Sequence, residues 1–287
     1  MIRVFPERTS YTPTDALAFV GDPSLFRPPE QSVMVSVTFS WDKPEGERLA
    51  RSWRRFYKDV RIGGPAYDDP GMTFTPGVFT KHGITFTSRG CPNRCPWCVV
   101  PKREGQLRLL PISDGWIVND NNLLACPRQH IEAVFKMLEH QPNGPVFRGG
   151  LEAGLLEKWH VNAIEALPRK ATYWLACDSD DGIEPLKRAA KLLQGISRGR
   201  LRCYTMIGFK EGPDDAEKRL REVWSIGFIP HAQVFRKPNT DHRLPSDPEW
   251  QRLQRNWSRP AIMRARMKGA TMFCDELFST PSSSAKP

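Results

Sequence analysis

Three of the seven cysteines fall in one short stretch, Thr87-Ser88-Arg89-Gly90-Cys91-Pro92-Asn93-Arg94-Cys95-Pro96-Trp97-Cys98, with the spacing Cys-x3-Cys-x2-Cys. Thiolates are soft ligands, so thiols this close together point to a metal or redox centre. Pro92 and Pro96 keep the stretch from closing into a regular helix, because each lacks a backbone N–H and fixes φ. Gly90 lets backbone approach closely. A loop bent in this way can turn three thiols towards one point. Three chemistries compete for it. Structural zinc wants four ligands, and His82 is the candidate for the fourth. A disulfide needs an oxidising compartment, and nothing in the sequence suggests one. A four-iron cluster held by three cysteines leaves one iron without a protein ligand, open to chelation by a small molecule.

The third chemistry has a counterpart among known proteins. The spacing, with the aromatic Trp97 just before the third cysteine and a short apolar strand (83–87) just ahead of the loop, resembles the radical S-adenosylmethionine (SAM) superfamily. The resemblance implies a [4Fe-4S] cluster on Cys91, Cys95 and Cys98. SAM would bind the open iron through its amino and carboxylate groups. An electron from the cluster would cleave SAM to methionine and a 5′-deoxyadenosyl radical. An electron donor such as flavodoxin or ferredoxin is implied as partner.

Such a loop must be held by regular elements, and the chain supplies them in alternation. From Gly83 onward, apolar runs at 83–87, 116–120, 145–152, 171–178, 202–208 and 228–235 read as six strands. Helical periodicity intervenes at 130–140, 183–193 and 214–226. Six strands with intervening helices predict an α/β fold, a partial (β/α)6 TIM-type barrel over 76–235, which is also what the resemblance implies. Further upstream, 32–40 and 60–66 read as strands around a helix at 45–57 with Leu49, Trp53 and Phe56 on one face. That is a small parallel βαβ unit within residues 1–75. Residues 1–31 show no periodicity and read as a loosely structured lead-in. The N-terminal unit resembles a shortened Rossmann-like domain of the kind that binds cobalamin ahead of many such barrels. Its usual axial histidine is missing, since no histidine precedes His82, so a structural or docking role is expected.

In a barrel of this type, polar residues at the carboxyl ends of strands face the site. They are Asp120-Asn121-Asn122, Gly149-Gly150-Leu151-Glu152, Asp178-Ser179-Asp180-Asp181, and the run from Ile207 and Gly208 to Gly212. Gly149, Gly150 and Glu152 are similar to the family's glycine-glycine-glutamate motif for the SAM amino group, with one residue inserted, and Asp120 competes for that role. Asp178 is the candidate for the ribose hydroxyls, with Asp180 or Asp181 as helix N-caps. Ile207 and Gly208 resemble the segment whose backbone reads adenine. Cys126, Cys177 and Cys203 read as buried structural thiols; Cys177, beside Asp178, is also a candidate hydrogen-atom site. His160 reads as packed on the helix of Trp159.

Composition bounds the rest. Hydrophobic residues at 39% and charged residues at 26% are those of a soluble globular chain, and no apolar run of about 18 residues suggests a membrane span. The amino terminus carries no signal-peptide pattern, so a cytoplasmic protein is expected. The net charge is +10, and residues 236–269 hold nine Lys or Arg against three Asp or Glu. This basic extension (236–278) carries Arg252, Arg255 and Arg259 at helical spacing with Trp250 and Trp257 interleaved. It is either a nucleic-acid surface or a helix packed by its tryptophans with solvated arginines. The end, 279–287, is low-complexity and reads as disordered. Two other functions stay open: a methylthiotransferase-like tRNA modifier, and a non-catalytic zinc- or nucleic-acid-binding protein.

Overall fold

The computed structural model describes residues 1–68, 74–237 and 247–267. The first sheet contains β1 (Ile2–Phe5), β2 (Ala18–Val20), β3 (Val33–Ser36) and, after helix α1 (Lys43–Trp53), β4 (Val60–Gly63). All neighbours are parallel, in the order β2-β1-β3-β4. The expected β-α-β unit is therefore present, but the expected loose lead-in is not. Ile2 and Val4 are fully buried, and their strand is central in the sheet. Four residues are too few to show a period, which is why the segment reads as a loop.

One face of this sheet is closed by α1. Leu49, Ala50 and Trp53 pack on Ile2, Val4, Val33 and Val35. Phe56, expected on that face, is 47% exposed, because the α-helix stops at Trp53 and the chain turns. Trp53 is fully buried, donates from Nε1 to the Gly21 carbonyl at 3.1 Å and meets Phe19 edge-on. Trp53→Ala is expected to cost about 3–5 kcal/mol, since cavity and lost hydrogen bond act together. Chemical denaturation followed by fluorescence checks this, and a loss below 1 kcal/mol would show that the site collapses around the hole.

The second half runs β5 (Ile84–Thr85), β6 (Ser88–Arg89), α2 (Val100–Arg103), β7 (Arg108–Leu109), β8 (Ile117–Val118), α3 (Arg128–Glu139), β9 (Val146–Phe147), α4 (Lys158–Glu165), β10 (Tyr173–Ala176), α5 (Ile183–Leu192), β11 (Leu201–Ile207), α6 (Pro213–Ile226), β12 (Ile229–Val234) and α7 (Pro248–Ser258). Two parallel sheets, β5-β8-β9 and β10-β11-β12, carry the six expected strands in order. Parallel bridges Val146↔Thr172 and Leu151↔Leu175 join them. All of these strands but β11, which is as long as its apolar run, are shorter than their runs, because flanking residues leave the ladder to form the loops. The short antiparallel pair β6–β7, not visible in the sequence, brackets the cysteine loop.

Among the described residues no helix is long and apolar enough to cross a membrane. α7 packs on β12 through Leu253 and Trp257, while Arg252, Arg255 and Arg259 are exposed. Ser258 Oγ donates to the Ala232 carbonyl at 2.9 Å, at the foot of the same contact. Residues 260–267 are again helical, so Pro260 begins a helical segment, a position that tolerates proline. The tail expected to be disordered, and Cys274, lie outside the described residues.

Candidate functional site

The cysteine loop is anchored at both ends before any thiol is considered. Asp120, two residues after β8, is 1% exposed. Its carboxylate accepts from the Thr87 backbone N–H at 2.6 Å, Thr87 Oγ1 at 2.5 Å and Ser88 Oγ at 2.8 Å. Asp120 is thus committed to holding the start of the loop. Burial pushes its carboxyl upward against these hydrogen bonds. At the other end, Glu104 accepts from Asn121 Nδ2 at 2.5 Å and from the Gly90 N–H at 3.4 Å, and pairs with Arg103 and Arg89 at 3.1 and 3.6 Å. Glu104 was not legible as a site residue, because nothing near it in sequence marks it as the acid that closes a loop from fourteen residues away.

Gly90 sits at φ +79°, and a Cβ there would collide with the Gln106 and Gly105 carbonyls. The expected close approach is therefore real. Gly90→Ala combines a backbone conformation unfavourable to L-residues with that collision, at a cost of about 1–3 kcal/mol. Its expected signature is a folded chain by circular dichroism whose cysteine loop is cut faster by protease than the parent's. Equal cleavage would show that the loop accommodates the methyl.

Cys91, Cys95 and Cys98 are all half-exposed, whereas Cys126, Cys177 and Cys203 are buried. The Cys98 N–H bonds to the Cys95 carbonyl at 3.0 Å, a tight turn between the last two thiols. Burial raises the pKa of Cys95 and Cys98, and the other thiols and Asp178 add to this. Four strand ends converge on the loop. After β9, Glu152 Oε2 accepts from Asn93 Nδ2 at 2.9 Å and from Asn122 Nδ2 at 2.6 Å. Asn122 Nδ2 also lies 3.7 Å from Cys91 Sγ, and its Oδ1 is buried without a partner. After β10, Asp178 accepts from the Met206 N–H at 2.9 Å and from the Trp97 side chain, and burial raises its pKa. After β11, Phe209 meets the Trp97 ring edge-on at 5.8 Å.

The sequence-predicted residues divide on this geometry. Trp97, Glu152 and Asp178 stand at the cysteine loop. Gly149 packs so tightly on the Asp120 backbone that a Cβ would collide with it, and Gly150 turns at φ +97° in open space. They make the turn that delivers Glu152. The Ile207 side chain is buried in the core, and its carbonyl accepts from the Phe235 N–H at 2.7 Å. The Gly208 N–H donates to Glu211 Oε1 at 3.1 Å, a turn stiffened by Arg219 at 2.7 Å from the same oxygen. Asp180, expected as a helix cap, instead pairs with Arg219 at 3.1 Å. His82 is exposed beside Gly77. His160 is buried, its ring 3.9 Å from Trp159, and closes a capping box as Nδ1 accepts from the Glu157 N–H. Burial holds the Cys177 thiol at about 12, with its Sγ 3.6 Å from the Ser179 carbonyl. Asn93 was missed, for its contact with Glu152 spans two strands' loops.

A second cluster lies under the loop. Asp120, Cys126 and His130 place one ligand atom each within 4.8 Å of one another, a geometry that could hold a metal ion. The same atoms already form a hydrogen-bond network, since His130 Nε2 lies 3.1 Å from Thr87 Oγ1. No protein-family model matches the chain, and no curated protein matches it.

Proposed function

We propose that the chain is a radical SAM enzyme, built on a partial (β/α)6 barrel formed by β5, β8, β9, β10, β11 and β12. The observation that carries the reading is the convergence of Asn122, Glu152, Asp178 and Phe209 from separate strand ends on a half-exposed Cys-x3-Cys-x2-Cys loop, the last two meeting its Trp97. Residues with no common sequence neighbourhood meet there because each follows the carboxyl end of a parallel strand.

The chemistry of the donor set suits the group it would hold. Three thiols suit three corners of a [4Fe-4S] cluster and leave one iron open. When bound and reduced, such a cluster supplies the electron that splits SAM reductively. The chain's own residues supply position and electrostatics. Glu152 and the unpartnered Asn122 Oδ1 are two acceptors beside Cys91, suited to an ammonium group such as the SAM amino group. Asp178 offers its carboxylate to ribose hydroxyls while Trp97 and the Met206 N–H fix its orientation. Phe209, held edge-on to Trp97, offers a ring to adenine. Anaerobic reconstitution with iron and sulfide, followed by counting both and by chromatography for 5′-deoxyadenosine under strong reductant, tests the reading. Four irons per chain and slow 5′-deoxyadenosine release are expected. A chain that takes up zinc and no iron would overturn it.

The Asp120, Cys126 and His130 cluster supports the competing reading, a zinc-binding protein without radical chemistry. The same metal analysis separates the two.

A further inference from the structure

The cysteine site leaves a second concavity among the described residues unused. A cavity of about 700 Å³ lies between the first sheet and the loops around the cysteine-bearing strands. Its size is that of a small-molecule site. One wall is made by Phe5 and Pro6 at the end of β1, Ser36 and Thr38 at the end of β3, and Gly64 and Pro65 after β4. These are carboxyl ends of parallel strands. In the order β2-β1-β3-β4, the chain leaves β1 to one side and returns on the other. Loops diverge at such a reversal and leave a crevice, which is where open parallel sheets take ligands.

The opposite wall is cationic. Arg89 and Arg103 share one carboxylate, Glu104, and the Nε of each is buried without a hydrogen-bond partner. Arg148 is exposed and forms no ion pair with another described residue; its guanidinium lies 5.1 Å from the centre of the Trp174 ring. Two guanidinium groups on one carboxylate, with Arg148 lining the same cavity, leave charge for an anion, and their forked donors match phosphate oxygens. Aromatic rings line the space between the walls. Phe39 and Phe79 are 41% and 39% exposed, although both are large and apolar. Phe39 is stacked on Trp41 at 4.6 Å, and the part of each ring left exposed suits a flat ligand. Glu7 and Asp42 also line the cavity.

We propose that this cavity is a nucleotide-binding site, with the phosphate on the arginine wall and the base against Phe39 and Phe79. A free mononucleotide and a nucleotide within an RNA strand present the same groups. The cavity opens beside the cysteine loop, because Arg89 precedes Cys91 by two residues and Asn121 adjoins Asn122. That the nucleotide is the substrate rests on the radical SAM reading; its binding does not.

The test is equilibrium dialysis of the full chain, prepared without iron or SAM, against AMP, GMP, UMP and a short single-stranded RNA at low and high salt. Saturable, salt-sensitive binding is expected. Arg148→Gln should weaken it by about tenfold or more, the scale of one lost charge-assisted contact. Thr38→Trp, a change at an exposed lining position that fills the cavity, should remove mononucleotide binding. RNA binding far tighter than any mononucleotide assigns the site to a strand, and comparable binding assigns it to the free nucleotide. No binding of either probe overturns the proposal, as does binding unchanged in both variants with circular dichroism like the parent's. Because the chain used carries no iron, failure here leaves the iron and 5′-deoxyadenosine results standing, and their failure leaves this result standing.

Discussion

Cys95→Ala is expected to leave a folded chain that assembles no stable four-iron cluster and releases no 5′-deoxyadenosine. Cys95 is half-exposed on a loop and lies outside the hydrophobic clusters, so its loss opens no core cavity. The fold is held elsewhere, by Asp120 and Glu104 at the two ends of the loop. A cluster already short of one protein ligand cannot spare a second, so the loss should approach completeness. Iron content, sulfide content and 5′-deoxyadenosine should fall together, with thermal stability of the iron-free chain unchanged within about 0.5 kcal/mol, as for surface substitutions. Cys177→Ala is the contrasting variant. It deletes a buried thiol and should cost stability while leaving iron uptake intact. Equal iron uptake by Cys95→Ala and the parent would remove Cys95 from the site.

Asp120→Ala is expected to destabilise the chain by about 3–5 kcal/mol, because it strands three buried donors, each costing about 1–3 kcal/mol when unmade. The donors are the Thr87 N–H, Thr87 Oγ1 and Ser88 Oγ. Asp120→Asn should cost far less, about 1 kcal/mol. Its carbonyl oxygen can still accept from the Thr87 N–H, and both hydroxyls can rotate to accept from its amide. Urea denaturation of both variants measures the difference. Similar losses for the two would mean that the carboxylate charge, and not the hydrogen-bond count, holds the loop. The same pair probes the cluster with Cys126 and His130. If that cluster binds zinc, Asp120→Asn should lose zinc while remaining folded.

The sequence by itself determined the cysteine triad, the six-strand alternation and the βαβ unit of the first sheet. Each is carried by local spacing: thiols a few residues apart, or apolar residues recurring at the period of a strand or helix. It also marked Trp97, through the motif in which it precedes the third cysteine, and Glu152 and Asp178, because a position just past a strand end is readable once the strand is. What lay beyond it depends on distance along the chain. β1 was missed because its four residues make sense as a strand only when β2 and β3 flank it. Asp120 looked like a ligand candidate, and only packing shows it spent on Thr87 and Ser88. Glu104 and Asn93 became visible only where loops from different strands met. The basic helix α7 divided in the same way. Its periodicity was local, but only its contact with β12 showed which face is covered: Trp257 packs inward and the arginines face out. The nucleotide cavity is the extreme case, for its two walls come from sheets whose contact no local pattern encodes. Spacing fixes what a residue can do; tertiary packing decides which of its partners already occupy it.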